Sequence, residues 1–370
     1  MKRILLSILL ISCLAAAADA QIVKSYDRPS EKEFKTAVKK VLKSTSCLDE
    51  DLTKRLDAIN VIQREFNNFS IEDWRTFDKC QDPEQIAAME SNGTPYFYRK
   101  AFDKVLKEVK STKVAEGKVV LWNVYNMGYV VKTPAHTFGI DLVQKHLDQL
   151  APELDFVLVT HNHGDHNNAH ARNQLALAGI RTYAGFKLAK PHEYQGKVFD
   201  LQYIEEQDTI QIGELTIRCT RVDHNKSEAG RKFVTTYEID CGPSTGNAVI
   251  FHTGDAHNYE QLEVAQKPDF FIFHLSVGLK IQKAIDKINP EYAVFSHVWE
   301  MGHEVTKWRW TIDDATTRID AIEGHDPSRL LCPSMPRSNV PLHILKQLQI
   351  HCNHDCAMTT FIRIQMYNMI

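Results

Sequence analysis

His161-Asn162-His163-Gly164-Asp165-His166-Asn167-Asn168 follows directly on the apolar run Phe156-Val157-Leu158-Val159. Three imidazoles and a carboxylate within six positions form a dense set of metal donors, of the kind that suits zinc, iron or manganese. In extended backbone His161 and His163 point the same way, so both reach one ion. Gly164 permits a sharp change of direction that aims Asp165 and His166 elsewhere, at a second ion. The bland alternative is a polar, histidine-rich surface loop, but a strand that delivers HxHxDH into a loop is more specific than a lone histidine.

Further along, three other strand-like runs end in a donor residue. Leu215, Ile217 and Cys219 alternate with Thr216, Arg218 and Thr220 and lead to His224. Ala248-Val249-Ile250-Phe251 leads to Asp255, and Tyr292-Ala293-Val294-Phe295 leads to His297. If these strands lie side by side and present one edge, donors from distant positions meet. Phe270 to Phe273 reads as one more strand. Upstream, Val119 to Trp122, Tyr129 to Val131 and Phe138 to Asp141 read as strands, the first two joined through Asn126-Met127-Gly128. Helices are expected over Leu142–Leu150 and Ala169–Ala178, with a short strand starting at Thr182. Strands interspersed with helices at this density imply layered α/β structure.

Before Gly117 the pattern is helical, with Phe34, Val38 and Val41, and then Leu56, Ile59, Ile62 and Phe66, at helical spacing. About four helices are expected there, with a start at Ser70-Ile71-Glu72-Asp73 and a break at Asn92-Gly93-Thr94-Pro95. Nothing in this region reads as catalytic; it reads as a structural or lid-like addition. Lys2-Arg3, an apolar run and Ala18-Asp19-Ala20 read as a signal peptide over residues 1–20. The protein is therefore expected to be periplasmic or secreted, with a lipid anchor at Cys13 in Leu10-Ile11-Ser12-Cys13 as the alternative. The remaining divisions are a helical region (21–115), a catalytic domain (116–325) and a Pro-rich tail (326–370) that reads as a linker or edge wrap.

The net charge of −3 over 370 residues gives no basic footprint for nucleic acid, and no apolar stretch suggests a membrane span. Seven cysteines remain beyond the signal, an odd number that cannot all pair within one chain. Cys47 with Cys80 is one candidate bridge, and burial as small hydrophobes is the alternative for most. His351-Cys352-Asn353-His354-Asp355-Cys356 has metal-like composition but unusual spacing for a zinc site.

The order and context of His161, His163, Asp165, His166, His224, Asp255 and His297 resemble the metallo-β-lactamase superfamily over roughly Gly117 to Gly324. The resemblance implies an α/β (α+β) chain folded as a four-layer αβ/βα sandwich, here with a helical N-terminal extension and a two-metal site on one edge. It implies that His161, His163 and His224 hold the first metal, that Asp165, His166 and His297 hold the second, and that Asp255 bridges them. Two such dications, expected as Zn2+ with Fe or Mn as alternatives, lower the pKa of a shared water and polarise a scissile carbonyl or phosphoryl group. The expected activity is hydrolysis of a small-molecule ester, lactone, amide or phosphodiester, with Asp165, Asp255 and His303 as catalytic residues.

Aspartate at 255, where β-lactamases of the first metallo class carry cysteine, argues against β-lactam hydrolysis, and Cys219 and Cys241 lie at the wrong strand ends. The motif His297-Val298-Trp299-Glu300-Met301-Gly302-His303 looks most like the branch related to ascorbate-phosphate lactonase. A diiron oxidoreductase on the same fold is the alternative enzyme class, although no Gly-rich nucleotide signature accompanies it. Nearby residues have paired readings: His303 as a proton shuttle or a surface histidine, Glu300 as a solvated acid or an orienting partner of a ligand imidazole. His252 and His257 read as core or surface rather than ligands. Asp141 reads as a turn residue or as a hydrogen-bond partner of a ligand histidine.

Overall fold

Period-two alternation sorts the strand residues into layers in the computed structural model, which describes residues 27–43, 52–305, 307–332 and 365–368. In β1 (Val120–Tyr125), Leu121 points to one side while Val120, Trp122 and Val124 point to the other. The chain continues through β2 (Gly128–Lys132), β3 (Thr137–Ile140), β4 (Phe156–Val159) and β5 (Arg181–Ala184), then a small hairpin of β6 (Glu193–Tyr194) and β7 (Lys197–Val198). With β8 (Leu201–Tyr203) and the returning β16 (Gln365–Asn368), these form a seven-stranded sheet in the order β16-β1-β2-β3-β4-β5-β8.

A second seven-stranded sheet has the order β15-β14-β13-β12-β11-β10-β9. Its strands are β9 (Thr209–Ile212), β10 (Leu215–Val222), β11 (Val234–Asp240), β12 (Val249–His252), β13 (Phe270–His274), β14 (Tyr292–Ser296) and β15 (Leu330–Leu331). Between the sheets, Leu121, Tyr129, Phe138, Ile140, Phe156 and Leu158 pack against Ile217, Tyr237, Ile250, Phe270, Ile272 and Val294. The opposite faces carry Trp122, Val157 and Val159 on one sheet and Phe251, Phe271, Phe273 and Phe295 on the other, and these bury against helices. The result is the four-layer αβ/βα sandwich.

Five helices precede the sandwich among the described residues, one more than the sequence pattern suggests: α1 (Glu31–Lys43), α2 (Leu52–Asn67), α3 (Ile71–Lys79), α4 (Pro83–Met89) and α5 (Gly93–Ser111). The additional one is α4, a short helix capped by Asp82 with Pro83 in its first turn. The expected start at Ser70 is a capping box with Asp73, and Asn92 caps α5 through the Gly93 amide. Phe34, Val38, Ile59, Ile62 and Phe66 are buried, as their spacing requires.

The helix expected over Leu142–Leu150 is shorter. Only α6 (Leu147–Leu150) forms, and a 3-10 turn at Ala151–Glu153 follows. Asp141 turns the chain at φ 49°, and the Gln144 side chain bonds the Val124 carbonyl and the Lys145 amide, competing with helical pairing. By contrast α7 forms over Ala169–Ala178 as expected, capped by Asn168 and stopped by Gly179. Two more helices, α8 (Ile281–Ile288) and α9 (Ile312–Asp320), complete the described set. The Pro-rich tail begins as β15, which edges the second sheet beside β14. The signal segment, Cys13, Cys47 and the His351–Cys356 tract lie outside the described residues, and Cys80, Cys219 and Cys241 carry free thiols.

Candidate metal centre

β4 delivers its donors from the first sheet, and β10, β12 and β14 deliver theirs from the second, so the candidate site is built across the seam between the sheets. Donor atoms of His161, His163, His224 and Asp255 lie within 4.8 Å of one another, and so do those of Asp165, His166, Asp255 and His297. Asp255 belongs to both groups. Its Oδ2 lies 3.7 Å from His161 Nε2 and 3.6 Å from His224 Nε2, while its Oδ1 lies 3.3 Å from His166 Nε2. His297 Nε2 is 3.1 Å from Asp165 Oδ2.

The turn that separates the two groups does not depend on Gly164. The amides of His166 and Asn167 both bond the His163 carbonyl, and it is this turn that sends Asp165 and His166 to the second group. Gly164 is not among the left-handed glycines, and a Cβ there would meet nothing within 4 Å. The pivot expected from the sequence is thus a hydrogen-bonded turn open to other residues.

Orientation of the rings comes from their outer nitrogens. Asp141 Oδ2 lies 2.8 Å from His166 Nδ1, and Asp141 itself accepts from the Thr160 amide and hydroxyl, each at 2.7 Å. His166 Nε2 is thereby directed into the site. Asp141 is both the turn residue and the imidazole partner that the two readings separated. Asn126, at the β1–β2 turn, donates to the Asp165 side chain at 3.3 Å.

Burial pulls His161 well below its ordinary pKa, with the neighbouring His166 adding to the effect. Burial acts against protonation of His166 too, but Asp255, Asp165 and Asp141 together hold it well above the ordinary value. Burial works to raise Asp255, and His166 and His274 outweigh it, keeping that carboxyl well below the usual range. His166 Nε2, His224 Nε2 and Asp255 Oδ1 are buried with no hydrogen-bond partner. Orphaned atoms of donor type converging on two points are what bound cations would satisfy, so the residues fit a pair of dications.

A cleft of about 300 Å³ opens beside the second group, lined by Asp165, Tyr125, Glu300 and His303 and by Trp74, Arg75 and Asp78 of α3. The helical region, read from the sequence as a structural or lid-like addition, therefore contributes a wall of the site. Glu300 is not a solvated acid: it is 1% exposed, and it accepts from the Tyr125 hydroxyl at 2.8 Å and the Gly302 amide at 2.7 Å. Its other oxygen lies 2.7 Å from His303 Nδ1 in an ion-pair contact. Burial lowers the His303 pKa, but Glu300 and, further off, Asp165 and Asp255 raise it on balance.

His252 is a core residue whose Nε2 meets the Met127 carbonyl, and His257 Nδ1 meets the Val277 carbonyl. Two site neighbours are absent from the sequence reading. His274, at the end of β13, is buried with its ring 3.9 Å from that of His297. Phe233 packs its ring 4.9 Å from His163 and 5.5 Å from His161. The His274 position was findable, since β13 runs parallel to two strands that end in donors. Cys219 and Cys241 sit in the inter-sheet core, where burial pushes Cys219 up to about 12, and neither belongs to a donor group.

An αβ/βα sandwich with paired imidazole and carboxylate groups at one end of its sheets defines a candidate divalent-metal protein. Residues 112–293 match the Beta-lactamase superfamily domain, and this segment of the chain belongs to the metallo-β-lactamase superfamily. The matched span includes the donors from His161 to Asp255; His297, His303 and helices α1 to α5 lie outside it.

Among solved structures, the chain is similar to CmlA, a diiron β-hydroxylase from Streptomyces venezuelae (14% identity, TM-score 0.42, covering 56% of this chain and 51% of CmlA). The chain thus spans about half the length of CmlA. It is also similar to a possible metal-dependent hydrolase from Veillonella parvula (13% identity, TM-score 0.43, covering 61% and 98%). A third similar structure is Igni18, a metallo hydrolase from Ignicoccus hospitalis (16% identity, TM-score 0.42, covering 60% and 96%). No curated protein matches the sequence.

Proposed function

We propose that the chain is an exported dinuclear zinc hydrolase acting on an ester, lactone, amide or phosphodiester of a small molecule. The observation that carries this reading is the division of the Asp255 carboxylate, one oxygen facing each donor group. His161, His163 and His224 would hold one dication, and Asp165, His166 and His297 the other, with Asp255 between them. When bound, such a pair supplies Lewis acidity and a water made acidic enough to react near neutral pH.

The chain's own groups account for the rest. Asp141 and Thr160 fix the His166 ring, and Asn126 fixes Asp165. Trp74 and Tyr125 wall the cleft, so the substrate's non-reacting part lies against α3. His303, held at Nδ1 by Glu300 and raised in pKa, is placed to give a proton to a leaving group from Nε2.

Metal analysis of the purified mature protein, with panels of lactones, thioesters, phosphodiesters and β-lactams, tests this reading. Two equivalents of zinc and turnover of one panel are expected. Two equivalents of iron, oxygen consumption and no hydrolysis would establish the oxidoreductase alternative instead. Export is tested separately by fractionating cells that express the full chain, where retention in the cytoplasm refutes it.

A further inference from the structure

His297 and Trp299 both hold left-handed backbone, with φ of 67° and 61°. Bulky side chains rarely adopt it, and such residues persist where the surroundings over-determine them. Here the surroundings belong to the helical region. The fully buried Trp299 ring packs edge-on to Phe66 of α2 at 4.7 Å and to Phe97 of α5 at 6.3 Å.

Trp299 Nε1 donates to Gln63 Oε1, and that same oxygen accepts from the Ile312 amide at 3.1 Å. Gln63 is itself fixed by donating to Asn67 Oδ1 at 2.7 Å. Tyr98 of α5 donates to the Trp299 carbonyl at 2.8 Å. Arg309 closes the clamp from the other side, bonding the carbonyls of Phe66 and Met301 at 3.0 and 2.9 Å and that of His303 at 3.0 Å.

The segment His297–His303 carries a donor of the second group, the orienting carboxylate Glu300 and the cleft imidazole His303. The ties to Trp299 and its neighbouring backbone run to elements outside the matched superfamily span or to the strand-to-helix connection after the segment, while Tyr125 of β1 holds Glu300 and the Met301 amide from within that span. Gln63 is none of the candidate ligands and does not line the cleft. We propose that the helical region shapes the second half of the metal centre, with Gln63 as the positioning residue that seats Trp299 and thereby sets His297 and Glu300.

The consequence for cations rests on the two-metal reading; the seating of the loop does not. Gln63→Leu keeps the bulk but strands two buried donors, whereas Gln63→Glu restores an acceptor at the same place. Amide hydrogen exchange on the full, metal-free chain reads the loop directly at Met301 and Gly302, whose amides bond Tyr125 and Glu300. Equilibrium dialysis with zinc reads the two sites separately.

The expected result is that Gln63→Leu speeds exchange at Met301 and Gly302 by about tenfold and weakens the second zinc by about tenfold, the ratio that ~1.4 kcal/mol gives. Strands β12 and β13 and the first zinc should be unaffected, and Gln63→Glu should restore both readouts. Unchanged loop exchange, a rise spread evenly over the chain, or a loss shared by Gln63→Glu would overturn the proposal. If the wild type binds no zinc, the two-metal reading fails while the exchange comparison still decides the role of Gln63. Where Gln63→Leu does not fold, Trp299→Phe removes the donor, keeps an aromatic ring and makes the same comparison.

Discussion

Asp141 Oδ2 and His166 Nδ1 stand 2.8 Å apart in the fully buried floor of the candidate centre, and the Thr160 hydroxyl donates to the same carboxylate oxygen. With Nδ1 engaged as a donor, the His166 lone pair at Nε2 is left for a cation. Asp141→Asn keeps the size and tolerates the φ of 49°. Its amide has a single oxygen, and with that oxygen on the Thr160 amide the NH2 faces His166 Nδ1 and favours the wrong tautomer. Affinity for the second cation should fall about 10–100-fold while the first holds, measured by dialysis against a competing chelator. Equal losses at both would contradict the pairing.

Glu300 and His303 form a second, cleft-facing pair. Burial lowers the His303 pKa and Glu300 more than compensates, so Glu300→Gln should move the His303 titration toward lower pH. Histidine NMR of the metal-free protein reports this shift. The variant retains an oxygen for the Gly302 amide, so a change in the loop itself is not expected. A titration that stays in place would show that Glu300 does not charge the imidazole.

Without metal, acid should weaken the fold. His161, His163, His252 and His274 are all held below the ordinary histidine value of 6.5, with burial the largest cause. The unfolded chain binds these protons first, so their contribution to stability is lost as pH falls below 6.5 toward the folded values. His166 and His303 are raised and act in the opposite sense, contributing fully below 6.5 and losing it as pH rises through their folded values. The lowered groups outnumber the raised ones. Melting in chelator should therefore occur at a lower temperature at about pH 5.5 than at about pH 7.5, and the reverse order would refute the balance.

Two glycines near the site make opposite predictions. Gly254 has φ 50°, and a Cβ there would lie 2.7 Å from Thr160 Cβ, so Gly254→Ala should cost about 1–3 kcal/mol. Gly164→Ala meets no atom within 4 Å and should change stability by less than about 0.5 kcal/mol. Urea unfolding of both variants checks the contrast, and a large loss at Gly164 would restore it as an obligatory pivot.

Much of this centre was readable along the chain. Short apolar runs and one alternating strand announce where they end, and His161, Asp255 and His297 follow the runs while His224 follows the alternating strand. Phe233 and Trp74 were not readable, because their relation to the site is set by how separate segments pack, not by local pattern. The choice between the two readings of Glu300 was not legible for the same reason: its buried carboxylate is held by Tyr125, a residue 175 positions away. The Leu142–Leu150 segment has helical spacing, yet the turn at Asp141 and the side-chain bonds of Gln144 hold its first half out of the helix.

The seam between the sheets has a mechanical meaning. One donor loop belongs to the first sheet and His224, Asp255 and His297 belong to the second, so a cation gripping both acts as a rivet through the sandwich. Its binding free energy is then also adhesion between the two halves of the fold, and the melting temperature should climb with free metal concentration. Stripping the rivet would leave the inter-sheet core of Leu121, Phe156, Tyr237 and Ile250 to hold the halves together alone.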